Sequence, residues 1–526
     1  MNRHLFLTAV ACVFSFFMHA ETTITISNPE TWTTSQMSSY VGQTVTFKTP
    51  LFVTNNYYYS SGKLSVSPRR VYAPTNQAIP LSTEYNSIVS LNNNAEMTLS
   101  GLSGYHRMGE RIVGLTAKVT SATSLTVVGT PKFEGNSRAD MQKGAPSVDM
   151  RGKHTLLVCA FNLEYYLVAN IGTGYGPDNS TESDRQHAKI MDALTHINAD
   201  IYGFVEIEQG QNALAKIASS LTQATGRQYG YVDDGGSPSG SYTKSGYVYC
   251  STTVEPVGEI HNNEVAVTNR KKTQGFKEKA TGEKFIFSLN HFKAKVGANA
   301  STAQLDKDQG DGQGTFNYTR TREAESVLSQ YNSDISYYGD EDVLIMGDLN
   351  AYAKEDPIRT LTQNGMIDLH RYFHADSSYS YVYRNQAGYL DHALVNSTML
   401  PQVTGMAAYH INSDEHDGFT YDKSSDSSMF RSSDHDPVLV GLCLTAEPVL
   451  PMPCVNSIEL LNGQKQARIL NAFGGYYKLF DVSGNEYSSG KVDNDDFTLD
   501  MEMQAGVYLL TVYHDGEAKA MKFIVQ

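Results

Sequence analysis

Apolar and polar positions alternate along the first part of the chain, in short runs such as Thr44-Val45-Thr46-Phe47 and Leu125-Thr126-Val127-Val128, with Asn, Gly and Ser turns between them. A period of two sends successive side chains to opposite faces of a strand, so residues 21–146 read as a small all-β domain. From Lys153 the pattern changes. Apolar runs over Leu156 to Phe161, Ile201 to Val205, Phe285 to Leu289 and Val343 to Met346 alternate with stretches of helical period, which predict helices over Arg185 to Ile197 and Thr319 to Gln330. Such mixing indicates a two-layered or four-layered α/β domain over 150–444. Residues 445–454 hold Pro448, Pro451 and Pro453 and read as a stiff linker. Beyond it, 455–526 carries strand-like runs at Tyr476 to Val482 and Gly506 to Tyr513, a small β-sandwich.

Arg3 and His4 precede an apolar run from Leu5 to Phe17 that closes at Ala20, the pattern of a secretory signal peptide over 1–20. No later run reaches the ~20 apolar residues of a membrane helix. The expectation is an exported protein, extracellular or at the cell surface, with no integral membrane segment. Cys159, Cys250, Cys443 and Cys454 have no metal-like spacing and read as buried or unpaired. A net charge of -15 excludes a passive nucleic-acid coat, whose affinity comes from neutralising phosphates. A hydrolase needs only a locally basic groove, and Arg270 to Lys295 supplies eight basic residues against two acidic ones. Trp32 and Tyr57-Tyr58-Tyr59 in the first domain are either core packing or a stacking surface for single strands. On the second reading, removing that domain weakens binding to long polymers and spares cleavage of a small diester.

Candidate chemistry gathers at strand ends. Gly347-Asp348-Leu349-Asn350 follows Val343 to Met346; there a carboxylate can polarise a water and a carboxamide can donate to phosphate. Asp434-His435-Asp436 precedes the apolar run Val438 to Val440 and offers an imidazole between two carboxylates. Asn290-His291-Phe292-Lys293 closes another strand with a second imidazole. Asn162 and Glu164 end one strand, and Glu206 and Glu208 the next; either acid could bind a hard cation. Each cluster alone is also compatible with an ordinary turn.

Taken in order, with Gly310 to Gly314, Asn350 to Pro357 and Gly388-Tyr389-Leu390-Asp391-His392, these clusters resemble the endonuclease/exonuclease/phosphatase superfamily over His154 to Leu444, in its bacterial extracellular nuclease branch. The resemblance implies an α/β (α+β) four-layer sandwich catalytic domain, flanked by an N-terminal all-β OB-like domain and a C-terminal β-sandwich. It implies Mg2+, with Ca2+ or Mn2+ as alternatives, held by Asn162, Glu206 and Asp434. It further implies that Asp348 activates water, that Asn350 binds the scissile phosphate, and that His435, steered by Asp391, assists the leaving group with His291. Arg270 and Lys293 would contact the substrate. One departure stands out: where such enzymes often carry an acid ahead of Ser245-Gly246-Tyr247, this chain has Ser241, Tyr242 and Thr243. The last seventy residues resemble type IX secretion sorting domains through Tyr477 to Gly484, Gly506 to Val512 and Lys522 to Val525, which implies an export machinery as partner.

The function that follows is a secreted nuclease acting on DNA or RNA. Two alternatives stand beside it. A sphingomyelinase-like phospholipid phosphodiesterase would want an exposed apolar hairpin, which the sequence does not offer. A noncatalytic surface adhesin would not keep Glu206, Asp348, Asn350, His291 and His435 together.

Overall fold

A computed structural model describes residues 22–150, 153–235, 241–262 and 270–444, together with 457–461, 466–470, 472, 475–481, 484–492, 496–500, 505–514 and 517–525. The expected signal peptide and the proline-rich linker lie outside the described residues.

The first region forms a single nine-stranded sheet. The alternation at Thr44–Phe47 and Ser124–Val127 is that of its strands. Inward residues along the sheet, among them Val45, Phe47, Val66, Leu99 and Ile112, bury in one cluster with Trp32. Trp32 is therefore core, whereas Tyr57 and Tyr58 are exposed. The region is β-rich but not all-β, with nine strands where an OB barrel has about five. A helix over Thr83–Asn92 interrupts the strands, its first turn capped by Ser82, whose hydroxyl accepts from Tyr85 N at 3.1 Å.

The middle region holds two six-stranded sheets. In the first, Leu156–Tyr166 and Ile201–Glu208 pair in parallel at the centre. In the second, Lys284–Asn290 and Val343–Asp348 do the same. The remaining neighbours in both sheets are antiparallel. A parallel pair needs a long crossover, and the two helices expected from sequence provide them, as Ser180–Ile197 and Asn317–Tyr338. A helix over Asn212–Thr225 went unread, although Ala213, Leu214, Ile217, Ala218 and Leu221 give it one buried stripe.

Three cores organise these elements. Phe285, Phe287, Leu344 and Met346 of the second sheet pack with Leu156, Val158, Ile201 and Val205 of the first. The other side of the first sheet packs on the helices through Ile190, Leu194, Leu214 and Ile217. Ile286, Ile345, Ala324 and Val327 do the same for the second. The result is a sandwich-like α/β region in which all four parallel strands end at one rim. At the C-terminal end, a three-stranded and a four-stranded sheet share a core that includes Ile469, Leu479, Leu510 and Phe523.

Among the described residues no helix is long and apolar enough to cross a membrane. Cys159, Cys250 and Cys443 are free thiols, as expected; Cys454 lies outside the described residues.

Candidate active site

The rim is built by local distortions of the strands that reach it. Pairing slips between Asn162 and Tyr166 on one strand and around Glu206 on its neighbour. At those bulges Glu164, Tyr165 and Glu206 take φ values of 50°, 53° and 58°. Left-handed backbone at a non-glycine costs of order 1–3 kcal/mol and persists where surroundings enforce it. Here it turns Glu206 into the site, where Tyr165 N donates to its carboxylate at 3.1 Å. Gly347 meets a different demand: a Cβ there would lie 2.1 Å from Asn290 O. Only glycine lets the two parallel strands close to that distance with φ at 124°.

Asp348 is the hub. Its carboxylate accepts from Asn162 Nδ2 at 3.1 Å and from Asn350 N at 2.9 Å. His291 Nε2 and His435 Nε2 each stand 3.8 Å from its Oδ2. His291 Nε2 is also 3.7 Å from Glu206 Oε1, and His435 Nε2 is 3.8 Å from Asp434 Oδ2. On its far side the His435 ring bonds through Nδ1 to Asp391 Oδ2 at 2.7 Å, and Ser380 Oγ donates to that same oxygen at 2.7 Å. Asp391 faces Asp348 directly across the antiparallel pairing. Asn162, His291, Asp348, Asn350, Asp391 and His435 are all between 2% and 8% exposed. The mouth of the site lies at Glu206 and Asp434, whose side chains retain 17% and 31% exposure.

Burial in this crowd separates the two histidines. His435 is raised well above its ordinary pKa: burial opposes the charge, but Asp391, Asp434 and Asp348 together outweigh it. His291 is pushed well below, by burial first and then by Arg270, His435 and Lys293. The surroundings thus favour the charged form of His435 and the neutral form of His291. The carboxylates shift upward. Burial, then Asp434, lifts Glu206 to about 7 and Glu164 to about 8. Burial raises Asp348 to about 7, with His435 pulling against it and Asp391 adding to it.

Carboxylates driven toward protonation by burial, and then by one another, are what a divalent cation would relieve. Glu164, Glu206 and Asp434 offer hard oxygens, and Glu164 Oε2 is buried with no hydrogen-bond partner. The donor chemistry therefore fits such an ion. Asp348, Asp391 and His435 also form a group compact enough to hold one, with ligand atoms within 4.8 Å. There, however, Nδ1 of His435 is already bonded to Asp391, and the pair reads as a hydrogen-bonded dyad turned toward Asp348.

The structure sorts the other sequence candidates. Glu208 leaves the site: it accepts from Ala169 N at 3.0 Å and Asn170 N at 2.6 Å and holds a loop. Asn350 Nδ2 is committed to Phe292 O at 3.1 Å and Asp348 Oδ2 at 3.3 Å. The basic run is not an open cationic face. Lys271 pairs with Glu323, Lys272 with Asp234, Lys277 with Glu255 and Lys295 with Glu355. Lys279 donates to Ser251 O, and Lys284 donates to the end of the Asn317–Tyr338 helix at Tyr338 O. Arg270 and Lys293 are the two whose charge acts on His291. The main chain at His291 is held firmly: its N–H donates to Arg270 O at 3.0 Å, and Ser245 Oγ donates to the same carbonyl at 2.7 Å.

Sequence reasoning missed Ser380 and Tyr381. The Tyr381 ring stacks on His435 with centroids 4.6 Å apart. Tyr381 opens a short hairpin, Tyr381–Tyr383 and Gln386–Gly388, and Ser380 immediately precedes it; nothing local marks either residue as part of the site.

The model of the Endonuclease/Exonuclease/phosphatase family matches residues 161–435. No curated protein matches the chain. Among solved structures, an endonuclease/exonuclease/phosphatase from Bacteroides vulgatus is similar at 16% identity and TM-score 0.36, over 55% of this chain and 98% of that one. The human Nocturnin catalytic domain is similar at 13% identity and TM-score 0.37, over 55% and 94%. D. rerio TDP2, complexed with a single-strand DNA product, is similar at 15% identity and TM-score 0.36, over 55% and 99%.

Proposed function

Since the chain belongs to the Endonuclease/Exonuclease/phosphatase family, we propose that it is a secreted, divalent-metal-dependent nuclease that hydrolyses phosphodiester bonds of DNA, with RNA as a second substrate. The family includes nucleases and phosphodiesterases and generally uses divalent metal ions. The observation that carries the reading is the dyad of Asp391 and His435, 2.7 Å apart, whose free nitrogen faces Asp348 beside the Glu206 and Asp434 carboxylates.

In this reading Asn162, Glu206 and Asp434, with Glu164, hold Mg2+, or Ca2+ or Mn2+ in its place. The ion supplies Lewis-acid stabilisation of charge on a phosphoryl oxygen. Asp348, raised to about 7, takes the proton of the attacking water near neutral pH. Asn350 releases the longer of its two bonds, at 3.3 Å, and donates to the scissile phosphate. His291, neutral, donates to a phosphoryl oxygen. His435, charged and steered by Asp391, protonates the leaving oxygen. Arg270 and Lys293 border the phosphate path.

Tyr165, which adjoins Glu206, stacks on Tyr175 at 5.2 Å, and Tyr175 meets Tyr242 at 5.6 Å. The exposed Tyr175 and Tyr242 give an unpaired strand an aromatic border. The proposal takes the catalytic region, 150–444, as a four-layer sandwich, the first sheet as OB-like, residues 1–20 as a signal peptide, and 455–526 as the domain that engages the export machinery.

The test is cleavage of supercoiled plasmid by the mature protein with Mg2+, with Mg2+ plus Ca2+, and with excess chelator. Metal-dependent nicking supports the proposal. No cleavage of plasmid or RNA under any metal, by folded protein, rejects it and passes the question to sphingomyelin and then to the adhesin reading.

A further inference from the structure

Two carboxylates on the loop beside His435 are buried completely. The side chains of Asp414 and Glu415 are 0% exposed. Each would be costly to bury without a cation. Their arginine partners come from the N-terminal region, not from the α/β region. Arg70 pairs with Asp414, Arg107 Nε stands 2.6 Å from Glu415 Oε1, and Arg138 Nη2 is 2.6 Å from Glu415 Oε2. Arg107 is itself 1% exposed, and Asn136 Nδ2 adds a bond to Asp414 Oδ2 at 2.7 Å. Pairing outweighs burial here: Asp414 is held below the usual carboxylate range by Arg70 and Arg107.

The same loop grips His435. Asn412 Nδ2 donates to His435 O at 2.7 Å, while Asn412 Oδ1 accepts from Ser432 N at 2.8 Å. The backbone N–H groups of Asn412 and Ser413 both donate to Asp436 Oδ1 at 2.9 Å. Residues 412–415 therefore tie the segment around His435 to the N-terminal arginines.

A second route reaches the other half of the dyad. Ala387 N donates to Val71 O at 2.8 Å, and Ala73 N donates to Ala387 O at 2.8 Å. The N-terminal chain thus extends the hairpin that carries Tyr381 against His435, and Ser380, which bonds Asp391, immediately precedes it.

We infer that the N-terminal sheet is a working part of the hydrolytic centre and that Arg70 and Arg107 are positioning residues, which hold His435 against Asp391 through Asp414, Glu415 and Asn412. The inference rests on the proposed hydrolysis, and it gives the N-terminal region a role beside the two readings of its aromatics, core packing or a surface for single strands. Loss of Arg70 strips the buried Asp414 of its ion-pair partner, and loss of Arg107 leaves the buried Glu415 with Arg138 alone; the first is strongly destabilising locally. The loop then moves, and His435 loses its register with Asp391.

The experiment compares full-length wild type with Arg70→Met, Arg70→Lys and the milder Asn136→Ala. Hydrolysis of bis(p-nitrophenyl) phosphate, too small to span the N-terminal sheet, is measured with Mg2+. Arg70→Met should lower kcat at least tenfold with KM within twofold, Arg70→Lys should recover part of the loss, and Asn136→Ala should lower kcat about threefold in a fully folded protein. The low-field proton NMR signal of His435 Nδ1–H, identified by its loss in His435→Gln, should vanish or move in Arg70→Met. A kcat within twofold of wild type in Asn136→Ala and Arg70→Met, with the imidazole signal unmoved, overturns the inference. Should wild type hydrolyse nothing, the proposed function fails by itself, and the imidazole signal still decides the positioning role.

Discussion

The raised carboxylates predict a coupling between pH, stability and metal. Glu206 moves from 4.5 to about 7 on folding, through burial and then Asp434. One unit of pKa is worth about 1.4 kcal/mol, so the charged form of Glu206 alone costs the metal-free fold roughly 3 kcal/mol. Asp348 starts from 3.8 and also reaches about 7, and the two carboxylates act on one another, so their costs do not simply add. The folded protein keeps these protons to a higher pH than the unfolded chain. Its stability is therefore fullest below about pH 4.5 as far as Glu206 is concerned, and falls as pH rises toward 7. A divalent cation takes the place of the protons and removes the penalty, so its binding should strengthen over the same interval.

The assay is thermal unfolding of wild type and Glu206→Gln at pH 5 and pH 8, each with chelator and with Mg2+. Glu206→Gln keeps the shape of the side chain and abolishes its charge. With chelator, the wild type should lose roughly 2.5 kcal/mol more than the variant between the two pH values, since the unfolded carboxyl is already mostly ionised at pH 5. Mg2+ should stabilise the wild type at pH 8, do little at pH 5, and do little to the variant at either. Comparing the two proteins cancels the titration of every group that the Glu206 charge does not reach. An Mg2+ shift of equal size at both pH values, or one undiminished in Glu206→Gln, would refute the reasoning.

Three further outcomes follow from the same geometry. Asp348→Ala and His435→Ala should each lower hydrolysis by about a hundredfold or more while circular dichroism stays native; retention of a tenth of wild-type rate in either would remove them from the reaction. Glu208→Gln should cost about 1–3 kcal/mol in chemical denaturation, because the carboxylate holds Ala169 N and Asn170 N. Its Mg2+ affinity should match wild type, and a lost affinity would return Glu208 to the metal set. Gly347→Ala puts a Cβ 2.1 Å from Asn290 O at a φ of 124°, and should cost about 3 kcal/mol or more. A variant as stable as wild type would show that the two parallel strands can separate without harm.

Elements whose signal is local were legible in the chain alone. Continuous apolar runs marked the four parallel strands of the α/β region, which are buried on both faces, and a period of 3.6 marked both crossover helices, because side-chain direction follows directly from backbone geometry. The sequence also placed Asn162, Glu206, His291, Asp348 and His435 at strand ends, since each follows or precedes an apolar run. The residue pattern alone did not separate Glu206 from Glu208, which stand two residues apart and share a face in an unbroken strand, although the family resemblance named Glu206; a bulge sends one to the site and the other to the Ala169 loop. The lysines of the basic run looked free because their partners, Asp234, Glu323 and Glu355, are distant in the chain. Ser380 and Tyr381 carried no signal, for their value lies only in the contact with Asp391 and His435. The N-terminal sheet looked separable for the same reason. Arg70 and Asp414 are 344 positions apart, and an ion pair has no period. Only tertiary packing brings such charges together, and only burial, by stripping away water, makes their pairing decide where His435 stands.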